Sequence, residues 1–260
     1  MIICNGLVGL CLVTGGARHH EQGFQARGAA AALGVLSTLA TLALVLPNHT
    51  TSVLGPVYAP GQLVFVGLVS LVLYGVFLFV QTVRHRDYFL PEAMDAGEEE
   101  EEAHAAPPST RATLLSALLL LAALGAVVLL AKALSPALQA GIATAGLPAS
   151  FLGVVIAGLV LLPESLAAVR AARANRLQTS LNLALGSALA TIGLTIPAVT
   201  VASLLLGQRL VLGLEAKETV MLVLTLFVSA LTLGTGRTTV LQGAVHLVIF
   251  AVFLFLAAVP

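Results

Sequence analysis

Long apolar runs separated by short polar connections set the pattern of this chain. Windows of about 19 residues pick out eight apolar segments, over residues 1–14, 28–46, 61–83, 112–131, 150–169, 180–206, 219–234 and 239–259. The runs are continuous rather than alternating, which predicts membrane-spanning helices and excludes a β-barrel. The expected fold class is therefore an all-α polytopic membrane protein of about eight helices. The first segment is short. A helix from Met1 to Val13, rising about 1.5 Å per residue, does not cross about 30 Å of hydrocarbon. It also lacks the basic start and small-residue cleavage pattern of a signal peptide. The expectation is a chain truncated at its N-terminus, opening partway through a span.

Composition agrees. The chain is 58% hydrophobic and 9% charged, with a mean hydropathy of +1.03, whereas a soluble domain carries about 25% charged residues. The bilayer is thus the partner that composition demands. Twelve basic and twelve acidic residues cancel, so no basic surface points to nucleic acid. Cys4 and Cys11 share one apolar stretch, which suits neither a disulfide framework nor a zinc site. No nucleophile-elbow, metalloprotease or phosphate-loop pattern occurs, so neither an enzyme nor a resident cofactor is expected. Arginine outnumbers lysine ten to two amid abundant alanine and leucine. That usage suits a GC-rich bacterial genome, hence an inner membrane; oligomeric state leaves no mark.

The basic residues alternate across the segments. Arg18, Arg27, Arg84, Arg86, Arg111, Arg170, Arg173, Arg176 and Arg237 fall on one side, and Lys132, Arg209 and Lys217 on the other. Nine against three assigns the nine to the cytoplasm and the C-terminus to the outside. Residues 87–111, with the glutamate run Glu98, Glu99, Glu100, Glu101 and Glu102, form an acidic cytoplasmic linker. It divides residues 1–86, with three spans, from residues 112–260, with five. Five is odd, so a duplicated half would lie inverted, as in many secondary transporters. Laying the first segment on the sixth places Asn5, Gly9, Leu12, Thr14 and Gly16 on Asn182, Gly186, Leu189, Thr191 and Gly193. This is the expected inverted repeat.

One charge interrupts the fifth segment: Glu164, directly after Pro163. An ionised side chain at the bilayer centre costs about 2.5–3.5 kcal/mol on insertion scales. Glu164 is read either as a span-end carboxylate eased by Arg170 and Arg173, or as a cation and proton ligand at a helix break made by Pro163. The sixth segment carries hydroxyls at Ser180, Ser187 and Thr191 on one helical face, with Asn182, Gly186 and Gly193 beside them. Asn182, Ser187 and Thr191 suit a cation pathway and helix packing equally; the glycines favour packing. Pro197 offers a second break. Gln242 and His246, one turn apart, line a pathway or bond a neighbouring helix. His19, His20 and Glu21 read as a solvated connector. The five glutamates read as a solvated linker, or as a regulatory segment for hard cations such as Ca²⁺.

The stretches "SFLGVVIAGLVLLPESLAAVRAA" from Ser150 and "NRLQTSLNLALGSALATIGLTIPAVT" (Asn175 to Thr200) resemble the second repeat of calcium/proton antiporters. "LYGVFLFVQTVRHRDYF" (Leu73 to Phe89), the acidic run, and "GTGRTTVLQGAVHL" (Gly234 to Leu247) resemble the ChaA-like branch of the cation/Ca²⁺ exchanger superfamily. The resemblance implies two inverted five-helix halves joined by an acidic segment. Each half would give one glutamate on a broken helix to a site alternately open to either side. Glu164 would be the second-half glutamate, carrying the transported Ca²⁺ or a proton. Asn182, Ser187 and Thr191 would flank it, and Asn5, Gly9 and Thr14 would be the first-repeat counterparts. Thr191 stands where other branches carry glutamine, and Gln242 where some carry glutamate, so ion preference does not transfer. The first-half glutamate helix has no match here. The expected function is cation/proton antiport, Ca²⁺/H⁺ foremost with Na⁺/H⁺ and K⁺/H⁺ behind it. The alternative is a membrane bundle with no transport of its own.

Overall fold

A computed structural model describes residues 1–90 and 109–259. The run Glu98 to Glu102 lies outside these described residues. Eight helices among them are long and apolar enough to cross a membrane: α1 (Ile2–His19), α2 (Ala26–His49), α3 (Pro60–Arg84), α4 (Thr110–Thr144), α5 (Phe151–Arg173), α6 (Leu177–Leu206), α7 (Ala216–Leu233) and α8 (Val240–Ala258). Two three-residue strands, β1 (Glu21–Gly23) and β2 (Arg237–Thr239), pair antiparallel.

The first segment continues to His19 instead of stopping at residue 14, giving an 18-residue helix. Its opening, Ile2–Leu7, is wound as π-helix. Gly15 and Gly16 lie within the helix, and a Cβ on Gly16 would stand 2.9 Å from the backbone nitrogen of Val240. The pair serves close packing rather than termination. Helix α5 is likewise continuous through Pro163, and α6 through Pro197. This corrects the expected half-helices. Each proline withholds an N–H from the carbonyl four residues earlier, yet membrane helices tolerate this where neighbouring groups compensate.

The chain forms two compact units. The first comprises Met1–Glu92 with Leu161–Leu254, and so draws on both sides of the acidic segment. At its centre lies α6, packed against α1, α2 and α3. Leu177, Leu181, Ala184, Leu185, Ala188 and Leu189 are buried along α6, at the three- and four-residue spacing of one helical face. Leu33, Leu36 and Leu39 of α2 and Leu12 of α1 complete that core. The second unit comprises Ala93–Val160 with Phe255–Pro260. Its main element, α4, begins where Ser109 Oγ accepts from the backbone N–H of Ala112 at 3.3 Å. At 35 residues α4 outruns the hydrocarbon thickness, and Lys132 lies within it rather than in a connection.

Each end of the first unit is tied by its connections. At one end β1 meets β2, and Arg237 lies 3.8 Å from Glu21. There Gln22 Nε2 donates to Ala172 O at 2.9 Å, and His19 Nε2 to Arg173 O at 3.0 Å. His20 and Glu21 are exposed, as a solvated connector requires, and the bond from His19 and the strand pairing of Glu21 also tie that connector to α5 and β2. At the opposite end Asn48 Nδ2 donates to Leu214 O at 2.5 Å, and Leu214 N to Leu44 O at 2.9 Å. Tyr58 donates to Leu42 O at 2.5 Å, and burial raises the Tyr58 phenol above its ordinary pKa, keeping it a neutral donor.

Candidate functional site

Glu164 is the fourteenth of the 23 residues of α5, well inside the helix rather than at its end. It forms no ion pair among the described residues. Its partner comes from α6: Ser187 Oγ donates to Glu164 Oε2 at 2.5 Å. Two residues singled out on chemical grounds are thus in direct contact. The carboxylate is exposed and the serine half-buried.

Thr191 follows Ser187 by one turn and donates to the Ser187 carbonyl at 2.8 Å. With its hydrogen turned back on its own helix, the Thr191 oxygen keeps its lone pairs for other partners. Leu161, one turn before Glu164, and Ala188 and Thr191 of α6 form part of the wall of a cavity of about 370 Å³. The opening turn of α1, the α2 residues Leu36, Ala40 and Leu44, the α7 residues Glu218, Leu222 and Thr225, and Leu214 and Phe253 are also part of the wall.

Asn182 does not join Glu164. Its side chain donates to Phe89 O at 2.6 Å and accepts from Gln178 Nε2 at 2.9 Å. Gln178 Oε1 in turn accepts from the backbone N–H of Gln25 at 2.7 Å. This amide chain ties the start of α6 to the start of α2 and to the turn after α3. Of the two readings open for Asn182, the contacts are those of packing. Gln242 accepts from Thr239 N at 2.9 Å and so caps the start of α8.

The first-repeat counterparts have surroundings of their own. Asn5 is fully buried, donates to Thr225 Oγ1 at 2.7 Å and meets His246 Nδ1 at 3.1 Å. Gly9 faces α8, where an added Cβ would lie 3.0 Å from His246 Cβ. Thr14 donates back to Leu10 O at 2.7 Å, as Thr191 does to Ser187. Sequence reading missed Thr225 and Thr232. With Ser229 they form an i, i+4, i+7 stripe of buried hydroxyls on α7, a pattern legible in the sequence, and the fold brings Thr225 to Asn5 and Thr232 to His246. No group of three or more histidine, cysteine or acidic side chains is placed to hold a metal among the described residues.

A family profile described as sodium/calcium exchanger protein matches residues 1–83 and 115–259. The chain is 58% identical over 260 residues to y4hA of Sinorhizobium fredii, named as a candidate ionic transporter, covering all of this chain and 70% of that protein. It is 36% identical over 254 residues to the sodium-potassium/proton antiporter ChaA of Escherichia coli, covering 98% and 68%. It is 26% identical over 270 residues to a Ca²⁺/H⁺ antiporter of Aphanothece halophytica, covering 98% and 71%. The solved structure of native YfkE superposes with a TM-score of 0.70 at 16% identity, over 100% of this chain and 72% of that one. At that identity the likeness speaks for the fold alone. By the reach of the family profile and by identity to its relatives, the chain belongs to the sodium/calcium exchanger protein family.

Proposed function

We propose that the chain acts in secondary cation/proton antiport, with Glu164 binding either a proton or the cation and never both. The observation that carries this reading is the Ser187–Glu164 hydrogen bond, which joins α5 to α6 midway along α5. A bare carboxylate at that depth is costly. A proton or a cation relieves the cost, and one oxygen pair cannot hold both tightly. Exchange follows when the loaded forms change the side they face and the empty charged form does not. Ser187 suits both states, because a hydroxyl donates to the free carboxylate and offers lone pairs once a cation is bound. Thr191, one turn on, adds an oxygen of the same kind.

Ca²⁺ is the leading cargo and Na⁺ and K⁺ stand behind it, as the names of the relatives divide between them. Ca²⁺ takes six to eight oxygens. One carboxylate and two hydroxyls supply fewer, so water or further carboxylates would complete its shell. The side bearing most arginines is taken as cytoplasmic and the C-terminus as external.

The test is cation-driven collapse of a pH gradient in everted membrane vesicles containing the chain. Addition of Ca²⁺, Na⁺ or K⁺ to the wild type should release the gradient, and Glu164→Gln, at equal membrane level, should abolish the response. Undiminished exchange in Glu164→Gln would sink the assignment. A wild type silent toward all three cations would favour a bundle without transport of its own.

A further inference from the structure

Helix α6 runs unbroken through Pro197, yet Pro197 has no N–H to give the carbonyl of Gly193, four residues earlier. Inside a membrane bundle a released carbonyl takes a donor from a neighbouring helix, from a serine or threonine side chain, or from ordered water. Thr200, in the turn after Pro197, is not that donor. Its Oγ1 gives its hydrogen to Ile196 O at 2.8 Å.

Helix α3 packs along this stretch of α6, and two glycines fix the register between them. A Cβ on Gly67 of α3 would stand 3.1 Å from Thr200 Oγ1, and a Cβ on Gly193 of α6 would stand 2.8 Å from Tyr74 Cβ. Gly67 is thus level with Thr200 and Tyr74 with Gly193, so the two helices run antiparallel. Between these contacts α3 places Ser70, three residues after Gly67 and four before Tyr74. Between the same contacts α6 places Pro197, three residues before Thr200 and four after Gly193. Ser70 and Pro197 therefore stand at one level. The Gly193 carbonyl points toward that level, because helix carbonyls point to the residue four positions on.

Ser70 is fully buried, and its Oγ has no hydrogen-bond partner among the described residues. A buried hydroxyl in that condition is destabilising. Thr14, Ser37, Thr38 and Thr82 each turn theirs onto a carbonyl of their own helix. Ser70 does not. A donor without an acceptor on α3 and an acceptor without its helical donor on α6 thus share one level of the contact.

We propose that Ser70 and Gly193 hold one ordered water between α3 and α6, with Ser70 Oγ donating to the water and the Gly193 carbonyl accepting from it. Two polar partners are the fewest that an ordered water takes. The water stands in for the N–H that Pro197 lacks and ties α6 to α3 where α6 misses a bond of its own. The same tie steadies the helix from which Ser187 reaches Glu164. It belongs to the fold and stands or falls without the antiport reading.

The test is a double-mutant cycle on the melting temperature of the purified chain. Ser70→Ala should lower it by about 2–4 °C in the wild type. In a Pro197→Ala background, where residue 197 regains an N–H for Gly193 O, the same change should leave it unchanged or raise it. No loss in the wild type, or an equal loss in both backgrounds, overturns the site. A crystal structure of the wild type that resolves ordered water decides the matter even if a variant fails to fold. One water within about 3.2 Å of both Ser70 Oγ and Gly193 O is expected. Any arrangement without it, such as Ser70 turned onto Val66 O, overturns the proposal.

Discussion

Ser187 and Asn182 show how far a single residue's role can be read without its neighbours. Both are polar positions on α6, five residues apart, and both suited a cation pathway. Ser187 touches Glu164, whereas Asn182 is held by Phe89 O and Gln178. A hydrogen bond to a charged group contributes about 1.5–3 kcal/mol. Ser187 also gives a bound cation an oxygen that alanine lacks, so Ser187→Ala should weaken apparent cation affinity and Ser187→Thr should retain most of it. Asn182→Ala should do the reverse. Transport affinity should hold, while loss of two partly buried hydrogen bonds, about 1 kcal/mol each, lowers the melting temperature. A shift in cation KM without a stability loss in Asn182→Ala would return that residue to the pathway. The place of Glu164 inside a span was legible, because it is the one charge in a nineteen-residue apolar run. Asn182 was not, because its partner is a backbone carbonyl 93 residues away.

Among elements, the approach of α1 to α8 depends on residue size. A Cβ on Gly243 would stand 2.6 Å from the backbone nitrogen of Val13 and 2.9 Å from Gly9 O. Neither atom can move aside without the helix. Without a hydrophobic force between helices in lipid, such close packing supplies much of their association. It also brings His246 within reach of Asn5. Gly243→Ala should cost about 1–3 kcal/mol through overpacking, whereas Gly34→Ala, with open space around it, should be neutral or stabilising. The chain carries its own reporter, since Cys4 and Cys11 are both free and buried. Labelling by a thiol dye on heating should begin at lower temperature in Gly243→Ala than in wild type; coincident curves would mean the contact is slack. Helix number and position were legible from apolar runs alone. The prolines misled, because breaking a helix is their commonest effect in water, and here α5 and α6 run on through them.

For the whole molecule, the ends of the first unit give the positive-residue count a physical form. The ties between β1 and β2 and between the α1–α2 turn and α5 bring Arg18, Arg27, Arg170, Arg173, Arg176 and Arg237 to one end. Arg84 and Arg86 join them, since Arg27 lies 5.8 Å from the ring centroid of Tyr88 in the turn after α3. The opposite end, tied through Asn48 and Leu214, carries Arg209 and Lys217. The alternation along the sequence thus survives as a division between two ends of one packed unit, which chance placement of connections would not produce. The bias on basic loops predicts that the arginine-rich end is retained in the cytoplasm. Single cysteines at exposed positions test it. In cells, a membrane-impermeant maleimide should label Thr51→Cys without permeabilisation and Arg176→Cys only after it, with buried Cys4 and Cys11 contributing little background. The opposite pattern would invert the topology.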